Sequence, residues 1–357
     1  LKTLARADFQ EIAAKVTAVT QERFQSGQVP FRQLHCIEQY QSTARPGSVS
    51  GSIQLNRRRQ MATDIDVKSM TTHNDANDPT FNQLLGINND GVIAGYFGSG
   101  QVVNGSLHPN KGYTLNPPYG QGNFVNENFP GSVQTQVTGI NNSDRTVGFW
   151  VDANGNNFGF VDHDGKFTNV VDPNSKGQDG GLTFDQVLGI NDNKQAVGFW
   201  TDGNGNNHGF TYDVKSGSFA EVNLAGFAST TTTAINNEGH IAGFAANGGA
   251  DTSFIKEGNK LEWLTGPKGA VSTMALGINN EDQVVGSYTD AANLTHGFLF
   301  DEKSQTYKTI DDPNQLNVVG GGTTLNGIND KGQIVGFFMD KAGNTEGLQI
   351  SVSVHHS

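Results

Sequence analysis

The chain reads as an all-β protein: a six-bladed β-propeller closed by an N-terminal strand and preceded by a short helical N-terminal arm. Three observations predict it. One phrase recurs six times, at spacings of 43–53 residues, a period that belongs to blades or solenoid turns. Each period reads as four short strands. Glycine and asparagine, 46 and 37 of the 357 residues, supply the positive-φ and side-chain-capped turns that so many strands require.

The phrase is LGINNDGVIAGYF at 85–97, TGINNSDRTVGFW at 138–150 and LGINDNKQAVGFW at 188–200. It continues as TAINNEGHIAGFA at 233–245, LGINNEDQVVGSY at 276–288 and NGINDKGQIVGFF at 326–338. In the copy anchored at Gly189, a first strand around Leu188–Asn191 ends in a turn at Asp192–Lys194. A second, Ala196–Thr201, alternates small and aromatic residues. The run from Asp202 to Asn207 contains an Asn-Gly step, a hairpin signal. A third strand, His208–Asp213, and a fourth, about Phe219–Asn223, complete the blade.

The last copy stops after its third strand, Gly347–Val354, so one outer strand is missing. Residues 66–79 resemble the segment before the last anchor, and 67–74 are expected to supply that strand. Joining both chain ends in one blade removes open sheet edges. Two domains follow: an arm at 1–60 and the propeller at 61–357. Leu4–Phe24 carries apolar residues at helical spacing.

Composition narrows the function. Residues 1–60 carry a surplus of basic groups while the remainder is strongly acidic, within a net charge of −12. A phosphate backbone would be repelled, so no nucleic-acid partner is expected; Arg57–Arg59 is too short to alter that. No run of 18 apolar residues occurs, so no membrane span is expected. The single cysteine, Cys36, rules out an internal disulfide framework and a Cys-based zinc cluster. No nucleophile elbow, HExxH, P-loop or dinucleotide fingerprint is present. Asp152-x-Asn154-x-Asn156 and Asp202-x-Asn204-x-Asn206 resemble the start of a calcium loop but lack its glycine and glutamate, so hairpin turns explain them better. Neither metal nor cofactor is expected. Leu1 in place of methionine fits removal of a preceding secretory signal or tag. Sequons at Asn104, Asn141 and Asn293 fit a secreted glycoprotein, Asn141 being expected to lie buried in its anchor.

The Gly-Ile-Asn-(Asn/Asp)-x-Gly-x-(Ile/Val)-(Val/Ala)-Gly-(Phe/Tyr) phrase, followed by Asp-x-x-Gly-Asn-x-His-Gly-Phe, resembles the extracellular HAF-type repeat over about residues 66–350. The motif is specific for fold and not for function. Within that family the layout, with an insertion at Asn104–Asn116 and the stretch Gly131–Gln136, is most similar to fungal secreted hetero-Diels–Alderases. Those enzymes join a tropolone quinone methide to humulene-type sesquiterpenes. The resemblance implies a cofactor-independent cyclase with small hydrophobic substrates.

A propeller carries its own control: what all blades share is scaffold, and what one blade changes is a site candidate. Two columns vary. One, two residues after the second glycine, reads Phe97, Trp150, Trp200, Ala245, Tyr288, Phe338. The other, before the third-strand Gly-Phe step, reads Lys111, Phe158, His208, Thr252, His296, Glu346. Both flank the loop between second and third strands and therefore one end of the ring. The aromatics are either core between blades or the wall of a funnel at the channel mouth. Gln83, Gln136 and Gln186 are polar candidates at the same mouth. His208, His296 and Tyr288 are the candidates for proton handling, with Asp202 and Asp290 able to orient the histidines. Phe97, Lys111, Trp150, Trp200, Phe338 and Gln136 are the candidates for binding substrate.

Three readings follow. A cyclase acts by orientation and hydrogen bonding in an aromatic pocket. A lectin-like binding propeller repeats one pocket per blade, which the unequal second column opposes. A scaffold propeller has a plugged channel.

Overall fold

A computed structural model describes residues 63–103, 105–175 and 181–356. The expected arm at 1–60, Cys36, the Arg57–Arg59 cluster and the Asn104 sequon lie outside the described residues. Six four-stranded antiparallel sheets make a six-bladed β-propeller. In blades 1 to 5 the inner, second, third and outer strands follow chain order. The inner strands are Asn82–Ile87, Gln134–Ile140, Asp185–Ile190, Ser229–Ile235, Ala270–Ile278 and Thr323–Ile328. Blade 3, for example, continues through Gln195–Thr201, Asn207–Asp213 and Ser218–Glu221, one to three residues from the sequence expectation.

Closure is by the expected segment, with the strand set at Thr63–Thr72 rather than at 67–74. Blade 6 takes Thr323–Ile328, Gln333–Met339 and Thr345–His356 from the C-terminal end and Thr63–Thr72 as its outer strand. Thr72 pairs with Leu348 and Thr63 with His356. His356 extends past its own blade and donates from Nε2 to buried Asp301 of blade 5 at 2.9 Å.

The core consists of six apolar wedges, one at each interface between adjacent blades. Val147, Val161 and Val170 of blade 2, for instance, pack against Val187, Ala196, Trp200 and Phe210 of blade 3. Near the axis the inner strands touch directly, which is why five of the six anchors are glycine and the sixth, Ala234, is the next smallest residue. A Cβ on Gly139 would sit 2.9 Å from the Leu188 carbonyl of the next blade, and one on Gly86 would sit 2.9 Å from the Gly139 Cα. Every inner strand carries a register shift one residue before this position, between Leu84 and Gly86 in blade 1 and between Leu325 and Gly327 in blade 6. Such bulges increase local twist, and here the bulged carbonyl is the group that the neighbouring glycine accommodates.

Candidate functional site

The two ends of the ring differ in chemistry. At the end carrying the turns between first and second strands, the anchor asparagines form a closed circle. Asn88 Nδ2 donates to the Asn141 carbonyl, Asn141 to Asn191, Asn191 to Asn236, Asn236 to Asn279, Asn279 to Asn329, and Asn329 back to Asn88. Each Oδ1 meanwhile accepts N–H groups of its own turn, as Asn141 does from Ser143 and Arg145. Asn141 is therefore buried and committed, as expected, and is no glycosylation acceptor in this fold. Asn293 sits exposed in the turn before the third strand of blade 5.

A second circle lies on the first. The backbone N–H groups of Asn89, Asn142, Asp192, Asn237, Asn280 and Asp330 each donate to Oδ1 of the next member. Asp192 Oδ2 accepts the amides of both flanking asparagines, Asn142 and Asn237, at 2.8 and 2.7 Å. Asp330 Oδ2 does the same with Asn280 and Asn89. With the six anchor isoleucines these residues line an axial funnel of about 70 Å³. Pockets for drug-sized ligands hold roughly 300–1,000 Å³, so the funnel is too small for one, and the hydrogen bonds of its girdle tie each blade to the next.

The sequence-predicted residues sit at the opposite end, in one transverse row per blade. In blade 3 the row runs Asp185, Trp200, His208 from inner to third strand; in blade 5 it runs Thr273, Tyr288, His296. His208 stacks on Trp200 with centroids 4.3 Å apart. Its Nε2 lies 3.1 Å from Asp202 Oδ2, while Asn223 Nδ2 lies 3.3 Å from Nδ1. His296 stacks on Tyr288 and pairs through Nδ1 with Asp311 at 2.7 Å; Asp290 is farther, at 3.5 Å. The expected histidine–aspartate pairs thus form, with Asp311 as an additional partner in blade 5.

Of the two readings of the aromatic column, the packing shown is core between blades. Phe97, Trp150, Trp200, Ala245, Tyr288 and Phe338 each belong to a different inter-blade wedge. The reason is positional: they stand on the second strand, one strand out from the axis, where a side chain meets the neighbouring blade. Trp150 also stacks on Phe129 at 4.3 Å and donates from Nε1 to Asn169. Lys111 Nζ reaches the Val133 carbonyl at 3.5 Å. Of the glutamines, Gln83 accepts from the Tyr96 hydroxyl, whereas buried Gln136 leaves Nε2 without a partner among the described residues. His208 and His296 are two blades apart, separated by Ala245 and Thr252 of blade 4, so they do not make one constellation.

The innermost residue of each row is polar and buried: Asn82, Thr135, Asp185, Thr230, Thr273 and Thr323. Asp185 is the outlier. It is 0 % exposed, accepts the Asp172 N–H at 2.9 Å and bonds the Ser175 hydroxyl. Burial pushes its carboxyl up to about 7, with the charge of Asp172 adding to the rise. Asp251 at the same end is pushed by burial to about 6. At this end both side-chain atoms of Asn110, Gln136 Nε2, Asn157 Oδ1, Trp200 Nε1 and Thr295 Oγ1 are buried without a hydrogen-bond partner among the described residues, as are Thr63 Oγ1, Asp162 Oδ1, His163 Nδ1 and Asp301 Oδ1 at the girdle end. Asp185 escaped the sequence reading because only two columns were compared; the column four residues before the anchor shows one acid among Asn and Thr.

The calcium-like loops are hairpin turns. Asp152 Oδ1 accepts the N–H groups of Asn154 and Asn156 and its Oδ2 accepts the Asn156 amide, and Asp202 repeats the pattern. Among the described residues, the metal-ligating side chains that cluster are Glu238, His240 and Asp282, at the girdle end. No described helix is long and apolar enough to cross a membrane.

No protein-family model matches the chain, and no curated protein matches its sequence. Among solved structures, a putative TolB from Agrobacterium tumefaciens superposes with a TM-score of 0.54 at 12% identity, over 83% of this chain and 99% of that one. A variant of AofleA from Arthrobotrys oligospora follows at 0.48 and 9% identity, over 83% and 90%. A complex of Aleuria aurantia lectin with Fucalpha1-6GlcNAc follows at 0.45 and 13%, over 77% and 94%. At such identities the likeness to TolB establishes a shared fold and nothing further: this chain is a β-propeller.

Proposed function

We propose that the propeller acts on a small organic ligand at the end opposite the girdle, as a cofactor-independent cyclase joining a tropolone quinone methide to a humulene-type sesquiterpene. The repeat resemblance supports the reaction class. The observation that carries the location is Asp185 itself, a fully buried carboxyl pushed up to about 7, with the unpartnered Nε1 of Trp200 on the residue that pairs with it. A hydrogen bond left unmade on a buried group costs about 1–3 kcal/mol. The axial funnel is several-fold too small for either substrate.

In this reading Asp185, protonated near neutral pH, gives its proton to the hydroxyl that departs from the precursor as water. The ring hydroxyl of the precursor then yields its own proton, leaving the neutral quinone methide and restoring the acid. Cycloaddition forms one C–O and one C–C bond with no atom lost. Trp200 Nε1 and Gln136 Nε2 are the donors available to a developing oxyanion. Holding both partners in reacting orientation supplies up to about 7–11 kcal/mol in favourable cases. His208, stacked on Trp200 and fixed by Asp202, is assigned to the same row as a positioning residue.

A second reading, binding without catalysis, is favoured by the near-equivalent His–aromatic–Asp rims of blades 3 and 5. One experiment separates the two. The full chain is incubated with a tropolone-type precursor and humulene, with products followed by mass spectrometry, and a glycan panel is titrated in parallel. Product from the wild type, with turnover falling at least tenfold in Asp185→Asn, supports the cyclase. Absence of product removes the cyclase reading for these substrates, and saturable glycan binding would then favour the second. A wild-type rate in Asp185→Asn removes the assigned acid.

A further inference from the structure

We propose that Glu238, His240 and Glu257 form a binding site for a first-row divalent cation of the zinc class on the rim of the girdle end, with Asp282 positioning the histidine. His240 Nδ1 is held by Asp282 Oδ1 at 2.7 Å, which directs Nε2 toward two carboxylates from different segments. Nε2 lies 3.8 Å from Glu238 Oε2 and 3.7 Å from Glu257 Oε1. A tetrahedral ion with bonds near 2.0–2.1 Å separates its ligand atoms by about 3.4 Å. Each carboxylate oxygen therefore needs only a few tenths of an ångström relative to Nε2, and the two glutamate side chains, both largely exposed, turn toward one another to complete the set. Asp282 plays the part of the carboxylate that fixes the tautomer and ring angle of a metal-bound imidazole. One imidazole and two carboxylates suit zinc, cobalt or manganese better than calcium, which takes oxygen ligands alone.

The repeats argue that this cluster is not girdle. The column containing His240 reads Val92, Arg145, Gln195, His240, Gln283 and Gln333. In blades 3, 5 and 6 the glutamine Oε1 accepts the amide of its own anchor asparagine. In blade 4 that amide, Asn236 Nδ2, goes to Asp282 Oδ1 instead, at 2.9 Å. Blade 1 makes the equivalent bond from Asn88 to Asp144 with valine in the column, so the girdle does not need a histidine here. His240 is an addition, set among carboxylates, with its side chain only 14% exposed. Lys260 holds the other oxygen of Glu257 at 2.8 Å, leaving Oε1 for the ion.

The test titrates tag-free, chelator-stripped full-length protein with Co²⁺, followed by its visible d–d absorption, and with Zn²⁺ by calorimetry. The expected result is one saturable equivalent. Binding should weaken at least tenfold in His240→Ala and in Glu257→Gln, and by about 10–100-fold in Asp282→Asn, with circular dichroism unchanged. Glu257 is exposed, so E257Q keeps the test valid if a variant nearer the girdle folds poorly. Absence of saturable binding below about 100 μM Co²⁺, taken as the limit of a specific site, would overturn the proposal. So would wild-type affinity in either His240→Ala or Glu257→Gln.

Discussion

Replacing Asp185 by asparagine tests the electrostatics of the candidate site without altering its shape. Asparagine keeps an oxygen for the Asp172 N–H and offers its amide to the Ser175 hydroxyl, so the hydrogen bonds survive. What changes is the charge. In the fold the Asp185 carboxyl is pushed from its ordinary 3.8 to about 7, chiefly by burial. The folded state therefore keeps a proton that the unfolded state releases. Its contribution is fully present below pH 4, is lost as pH rises toward 7 and is flat above. A shift of about three units corresponds to at most about 4 kcal/mol, and relaxation around the buried charge brings the expectation to about 2–4 kcal/mol. Asp185→Asn should thus be within about 1 kcal/mol of wild type at pH 4.5 and more stable by about 2–4 kcal/mol at pH 8. Urea unfolding at both pH values, with the slope m checked for constancy, measures this. Equal destabilisation at both would mean that the carboxylate is ionised and useful in the fold, which would refute both the buried-acid argument and its catalytic assignment. Asp251 and Glu127, raised by burial to about 6 and about 7, push stability in the same direction. At Asp202 burial opposes ionisation, but hydrogen bonds, from the Asn206 N–H and His208 foremost, bring the group down to about 2. Its contribution is present above the ordinary 3.8 and is lost as pH falls toward 2.

Deleting residues 1–74 should lower the melting temperature by about 10 °C or more, because Thr63–Thr72 is the outer strand of blade 6; deletion through residue 60 should leave it unchanged. Equal melting temperatures in the two truncations would refute the closure. Trp200→Ala should destabilise by about 3–5 kcal/mol, since Trp200 is 6 % exposed in the wedge between blades 2 and 3. A fully stable variant would contradict that burial. His208→Ala, by contrast, should fold normally and reduce turnover without changing the pH optimum, which a pH–rate profile checks. Asp192→Asn should cost about 1–3 kcal/mol, read from its denaturation midpoint, because it sets an amide against the amides of Asn142 and Asn237.

The ring and its closure were legible because backbone requirements write themselves into particular residues. Glycine is demanded where inner strands of adjacent blades touch, and asparagine where one side chain must cap its own turn and tie the next blade. The asparagine recurs at every anchor and the glycine at five of the six, Ala234 standing in blade 4, and the missing outer strand of the last copy could only come from the other end of the chain. The site was less legible. Column comparison shows that Trp150 and Trp200 differ from Ala245, but not that the second strand lies one layer from the axis, where large aromatics fill wedges. Asp185 needed the same comparison applied one strand earlier. The cation cluster was hidden for another reason: Glu257 meets His240 only because the second and third strands pair, and Asp282 comes from the next blade.

The girdle connects the repeat to the number of blades. Around the axis its outer circle reads Asn89, Asn142, Asp192, Asn237, Asn280, Asp330, so two identical Asn-Asp-Asn triads close the ring. A carboxylate oxygen can accept from both sides, whereas an asparagine has one amide to give. Four asparagine amides therefore meet two aspartates with none left over, and each bond spans a blade interface. Triads tile a ring only in multiples of three. Six blades hold two whole triads, so every amide of this circle finds a carboxylate. With register fixed there, the opposite end is released from repetition, and it is there that the raised carboxyls of Asp185 and Asp251 are found.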